Sequence, residues 1–125
     1  MEKRRVLIVD DEEDFTRLIK LNLEQTGQYR VKTVNKGALA LEAAREFRPD
    51  LIFLDIIMPD IDGGDVCHQL ESDGQIKGTP IVFLTAIAKK EEVAASRGAI
   101  GGHPFLAKPV SVRELIDCIE RTERI

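Results

Sequence analysis

A doubly wound α/β domain, with five parallel strands and helices on both faces, is the fold this sequence predicts, and three observations carry that reading. The runs "VLIV" from Val6, "LIFL" from Leu51 and "IVFL" from Ile81 are apolar at every position, as strands covered on both faces must be. Between them the apolar spacing changes to that of a helix. The alternation continues through five units with no repeat, linker or low-complexity segment, which predicts one parallel sheet with right-handed crossovers.

The elements follow in order. After the strand at Val6, Phe15, Leu18, Ile19 and Leu23 mark one face of a first helix that Gly27 stops. "YRVKTV" from Tyr29 alternates and suits a strand near the sheet edge. Ala40, Ala43, Ala44 and Phe47 define the second helix, and the strand at Leu51 follows. Gly63, Val66, Cys67 and Leu70 define the third helix, before the strand at Ile81. A fourth helix, from about Lys90 to Ala99, has only Val93 and Ala94 as an apolar stripe; such weak anchoring marks a candidate moving part. "PFLAK" from Pro104 is a short fifth strand. The last helix carries Val112, Leu115, Ile116 and Ile119 inward and opens with Ser111 and Glu114 in capping-box spacing.

At 125 residues and 43% apolar content the chain supports a single core, so residues 1–125 are expected to form one domain. A net charge of −4 with both signs scattered excludes the basic footprint of a nucleic-acid binder. No apolar stretch approaches a membrane span, and "MEKRR" does not open a signal peptide, so a cytoplasmic location with no membrane contact is expected. Cys67 and Cys118 read as half-buried thiols without metal-ligand spacing. His68 beside Cys67 adds no ligand pair, because neighbours on a helix point to different faces.

In a sheet of this kind ligands bind outside the carboxyl ends of the strands. Asp10 and Asp11 follow the first strand, Asp55 the third, Thr85 the fourth, and Lys108-Pro109 the fifth. Singly each is unremarkable, since acids cap helices and lysines are usually solvated. Together they put complementary charge at four strand ends facing one crevice. Three crowded carboxylates repel unless a cation sits among them, and hard oxygen donors suit Mg²⁺. Lys108 and the Thr85 hydroxyl complete an electrostatic cradle for a phosphoryl group.

"VDDEEDF" at Val9, "LDIIMPDIDG" at Leu54, "LTA" at Leu84 and "FLAKP" at Phe105 occur in an order and spacing that resemble the response-regulator receiver domains of two-component signalling, over essentially the whole chain. The resemblance implies a flavodoxin-like sheet of order 2-1-3-4-5 with five helices. It implies a regulatory phosphoacceptor rather than an enzyme. Asp55 would accept a phosphoryl group from a sensor histidine kinase or histidine phosphotransfer protein. Mg²⁺ would be held by Asp11, Asp55 and the backbone carbonyl of Ile57, with Asp10 acting mainly through water. Thr85 and Phe105 would be switch residues, and Pro109 would follow a cis bond that orients Lys108. A downstream protein would read the face of the fourth helix, fifth strand and fifth helix, with a homodimer left open.

Phe105 stands where the family often has Tyr, so it offers no hydroxyl at the rim. "GAIGGHP" gives a pliant link before the fifth strand, with His103 expected as an exposed loop residue. The resemblance implies that the residues two beyond the phosphoacceptor and two beyond the switch threonine flank the approach of attacking water; here they are Ile57 and Ile87, which cannot orient a water, so slow self-dephosphorylation is expected. Three other readings compete. A haloacid-dehalogenase-type phosphatase would place its nucleophile after the first strand, a flavin binder would need a phosphate loop there, and an unphosphorylated receiver-like module would not need the full acid set. The 125 residues leave no room for an output domain, so the chain is expected to be free-standing or part of a longer one.

Overall fold

A computed structural model describes residues 3–86, 99–100 and 102–122. Its elements are β1 (Arg4–Val9), α1 (Glu13–Gln25), β2 (Tyr29–Val34), a 3-10 turn (Gly37–Leu39), α2 (Ala40–Phe47), β3 (Leu51–Asp55), α3 (Gly63–Ser72), β4 (Ile81–Thr85), β5 (Ala99–Ile100), β6 (His103–Ala107) and α4 (Val112–Thr122). Five strands pair in parallel in the order β2-β1-β3-β4-β6, which is the expected 2-1-3-4-5 arrangement.

The added strand is β5, a two-residue antiparallel partner of β6 that sets Ala99 opposite Pro104 and Ile100 opposite His103. Ala99, expected in the fourth helix, therefore lies in a strand, and the remainder of that predicted helix is outside the described residues. The glycine-rich stretch explains the difference. Pairing of Ile100 with His103 leaves a two-residue connection, and Gly102 takes φ 84°, a left-handed conformation suited to tight hairpins. His103, expected in an exposed loop, instead begins β6 and is partly buried.

Period-two alternation splits the core across the sheet. Leu7, Val9, Ile52, Leu54, Phe83 and Phe105 face the side covered by α2 and α3. Val6, Ile8, Leu51, Phe53, Val82 and Leu84 face the side of α1 and α4. Each such side chain contributes roughly 1.5–3 kcal/mol on burial. On α1 the inward face is Thr16, Ile19 and Leu23, whereas Leu18, expected inside, is 56% exposed. Leu18 lies about 100° around the helix from Ile19, too far to share its face. Cys67 and Cys118 are fully rather than half buried, because both fall on the inward stripes of α3 and α4.

Helix boundaries follow the predicted signals. Ser111 and Glu114 form the reciprocal capping box at the start of α4, each backbone N–H bonded to the other's side chain at 3.1 Å. Asp62 caps α3 by accepting from Gly64 N at 2.7 Å. Asp62→Ala is expected to cost about 1 kcal/mol, read as a lowered urea midpoint, with an unchanged midpoint counting against the cap. Among the described residues no helix is long and apolar enough to cross a membrane.

Candidate functional site

The site is built at the carboxyl edge of β1, β3, β4 and β6, which are neighbours in the sheet. Asp10 continues β1, its N–H bonding Val34 O at 3.0 Å, and is fully buried. Asn35 Nδ2 donates to Asp10 O at 2.8 Å and to Thr16 Oγ1 at 2.9 Å, tying the end of β1 to α1 and β2. Asp10 Oδ1 accepts from Glu12 N at 3.0 Å, so this carboxylate also satisfies an amide at the start of α1.

Asp55 ends β3 and is 5% exposed, with Oδ1 accepting from Ile57 N at 3.2 Å. The loop after it folds back onto α3, where Gly63 N donates to Ile56 O at 2.7 Å. A Cβ at Gly63 would stand 2.4 Å from Asp55 O and 2.6 Å from Ile56 Cα, so only glycine permits this approach. Asp60 anchors the other side of the loop by accepting from Gly37 N at 3.2 Å and Ala38 N at 3.0 Å.

Lys108 follows β6, and its backbone N–H donates to Thr85 O at 2.8 Å. Its Nζ lies 2.7 Å from Asp10 Oδ2, 2.8 Å from Glu12 Oε1 and 3.6 Å from Asp55 Oδ2, and 5.0 Å above the Phe15 ring. The Lys108–Pro109 peptide is cis, as the resemblance implies. Thr85 is buried at the end of β4, opposite Ala107, and Phe105 is buried opposite Phe83, on the α2–α3 side of the core. Ile57 is 56% exposed at the lip of the site, and Ile87 lies outside the described residues.

The structure thus brings Asp10, Asp11, Asp55 and Lys108 together, with Thr85 at the adjacent strand end. Glu12 was not singled out in the sequence, although it stands in the same acid run as Asp10 and Asp11. Asn35 carried no signal, since its role depends on β2 lying beside β1.

Carboxylate oxygens of Asp10, Asp11 and Asp55 all lie within 4.8 Å of one another. Burial, then the charge of Asp10, raises the Asp55 carboxyl from 3.8 to about 6, against the opposing pull of Lys108 and the Ile57 amide. Burial also raises Asp10, opposed chiefly by Lys108. For Lys108, burial works against the charge, but contacts with Asp10 and Glu12 outweigh it and hold the ammonium above its ordinary range. A cluster of hard oxygens from three acids, whose negative charge Lys108 only partly offsets, fits Mg²⁺.

A family model described as the response regulator receiver domain matches residues 6–120. The chain is 41% identical over 113 residues to the alkaline phosphatase synthesis transcriptional regulatory protein PhoP of Bacillus subtilis, covering 90% of this chain and 45% of that protein. It is 35% identical over 117 residues to the polar-differentiation response regulator DivK of Brucella anthropi, covering 94% of each. The chain therefore spans about half the length of PhoP and nearly all of DivK. Among solved structures, the Vibrio cholerae chemotaxis protein CheY4 superposes with a TM-score of 0.81 at 30% identity, covering 96% of this chain and 98% of that one.

Proposed function

Since the chain belongs to the response regulator receiver domain family of two-component signalling, we propose that it is a phosphorylation-dependent switch in which Asp55 is the phosphoacceptor. The observation that carries this reading is the convergence of Asp10, Asp11 and Asp55 within 4.8 Å, with Lys108 Nζ 3.6 Å from Asp55 Oδ2. The receiver domain occupies residues 1–125 in this proposal and works in the cytoplasm.

The donor is a phosphohistidine on a sensor kinase or phosphotransfer protein. A carboxylate oxygen of Asp55 attacks phosphorus in line as the phosphorus–nitrogen bond breaks, leaving an aspartyl phosphate and a free imidazole that takes up a proton. Asp11, Asp55 and the Ile57 carbonyl would hold Mg²⁺, with Asp10 linked through water. When bound, the ion neutralises the acids and the incoming phosphoryl oxygens. Lys108 supplies a fixed positive charge on the opposite side, and Thr85 a hydroxyl donor.

Phosphorylation adds nearly two negative charges beside Lys108 and Thr85. Thr85 moves toward the phosphoryl group, Phe105 fills the vacated space, and the face made by β6, α4 and the segment predicted as the fourth helix changes shape for a downstream partner. The test is phosphoryl transfer from a phosphorylated histidine kinase: wild type gains the label, and an Asp55→Asn variant that gained it equally would refute the assignment.

Lifetime follows from the lip of the site. Ile57 is exposed there and can neither orient nor deprotonate a water. An Ile57→Asn, Ile87→Glu double variant is expected to lose its phosphoryl group several-fold faster than wild type. Equal decay of the two, followed by loss of label in excess chelator, would remove this explanation.

A further inference from the structure

Away from the acid pocket, Cys67 and Glu71 on α3 meet His103 at the start of β6. We infer that these three residues form a second cation site, suited to Zn²⁺ rather than Mg²⁺. Cys67 Sγ lies 3.1 Å from Glu71 Oε1 and 3.6 Å from His103 Nε2, and His103 Nε2 lies 3.2 Å from the same Glu71 oxygen. In a tetrahedral zinc site, bonds of about 2.0–2.3 Å set donor atoms roughly 3.3–3.6 Å apart. All three separations are therefore within about half an ångström of what the ion requires.

The donor set decides the ion. Thiolate and imidazole select borderline-soft metals, whereas Mg²⁺ prefers oxygen and keeps its waters. Position is fixed independently of any ion, since Cys67 and Glu71 are one helical turn apart and the His103 ring packs edge-on against Phe83 at 5.7 Å. Glu71 is about half exposed, which leaves the cluster open to solvent for the fourth ligand, a water. The site is separate from the phosphoacceptor pocket, because His103 begins β6 and Lys108 follows its end, about 16 Å along the strand direction.

Without the ion the cluster is held by hydrogen bonds, with the thiol donating to Glu71. Burial, then Glu71, pushes the Cys67 thiol up to about 12, so it is protonated in this state. Loading replaces that proton. The thiol proton leaves to solvent, Glu71 binds as a carboxylate, and His103 binds through Nε2 with its own proton on Nδ1. The ion thereby ties α3 to the strand whose third residue is Phe105.

Metal-free protein titrated with Co²⁺ tests this, because a thiolate ligand gives a near-ultraviolet charge-transfer band that oxygen ligands do not. One equivalent should produce the band, and Zn²⁺, but not Mg²⁺, should abolish it. Cys67→Ser should eliminate it, while His103→Gln and Glu71→Gln, both at partly exposed positions, should weaken Co²⁺ at least tenfold with unchanged circular dichroism. Asp55→Asn and Cys118→Ser should leave it intact. Absence of the band in wild type, or a band unaffected by His103→Gln, would overturn the inference.

Discussion

Asp55→Asn is expected to abolish phosphoryl acceptance and, in chelator at pH 7, to make the protein more stable. The acceptor carboxylate is nearly buried beside Asp10, and its pKa is raised from 3.8 to about 6. Between those values the native state holds more protons than the unfolded chain, so stability falls as pH rises through the window. By pH 7 the ionised group costs on the order of 1–3 kcal/mol, which the neutral amide avoids. Urea unfolding of both proteins from pH 4 to 8 in chelator should show curves that separate above about pH 4 in favour of Asn. Mg²⁺ should narrow the gap by binding only the native acid cluster of wild type. A variant less stable than wild type at pH 7 would contradict this account of the pocket.

How far the sequence foretold this pocket depends on the distance over which each residue's role is set. Asp10, Asp11, Asp55, Thr85 and Lys108 were visible because each follows an apolar strand run, and the parallel topology brings strand ends together. The inward faces of α2 and α3 were legible for the same local reason, from apolar spacing alone. Leu18 misled because it lies beside Ile19 in sequence but not on its face of α1, and nothing in the sequence marked Thr16 as its buried replacement.

Contacts between distant segments were not legible. Asn35 acts on Asp10 only through the pairing of β2 with β1, and Glu12 engages Lys108 across 96 residues. His103 changed most. Loop composition suggested exposure, but pairing with Ile100 makes it part of β6, on the same side as Phe105, and sets it against Cys67 and Phe83. Cys67 and His68 were weighed as ligands because they are adjacent, whereas the histidine that reaches Cys67 lies 36 residues away.

Lys108→Ala is the second large effect expected. It leaves Asp10, which is wholly buried, without the ammonium 2.7 Å from its Oδ2. Removing one partner of a buried pair typically costs about 3–5 kcal/mol, because the remaining charge is stranded. The Lys108 side chain is 11% exposed, so solvent relieves little of that cost. The destabilisation should shrink on acidification, as Asp10 is neutralised, and shrink again on adding Mg²⁺. Lys108→Met, which keeps most of the packing, should lose nearly as much stability as alanine. Urea midpoints for both variants, with and without Mg²⁺, check this, and a midpoint equal to wild type would mean that the ion pair does not hold the pocket. In either variant the phosphorylated form should also fail to change the β6–α4 face.

The most direct test of the central claim is mass spectrometry after incubation with a small acyl-phosphate donor, first on the intact protein and then on its peptides. With Mg²⁺, the account predicts a gain of one phosphoryl group on the peptide containing Asp55, absent in chelator and absent in Asp55→Asn. A phosphoryl group found instead on His68 or His103, or one gained equally without Mg²⁺ or by the Asn variant, would contradict it.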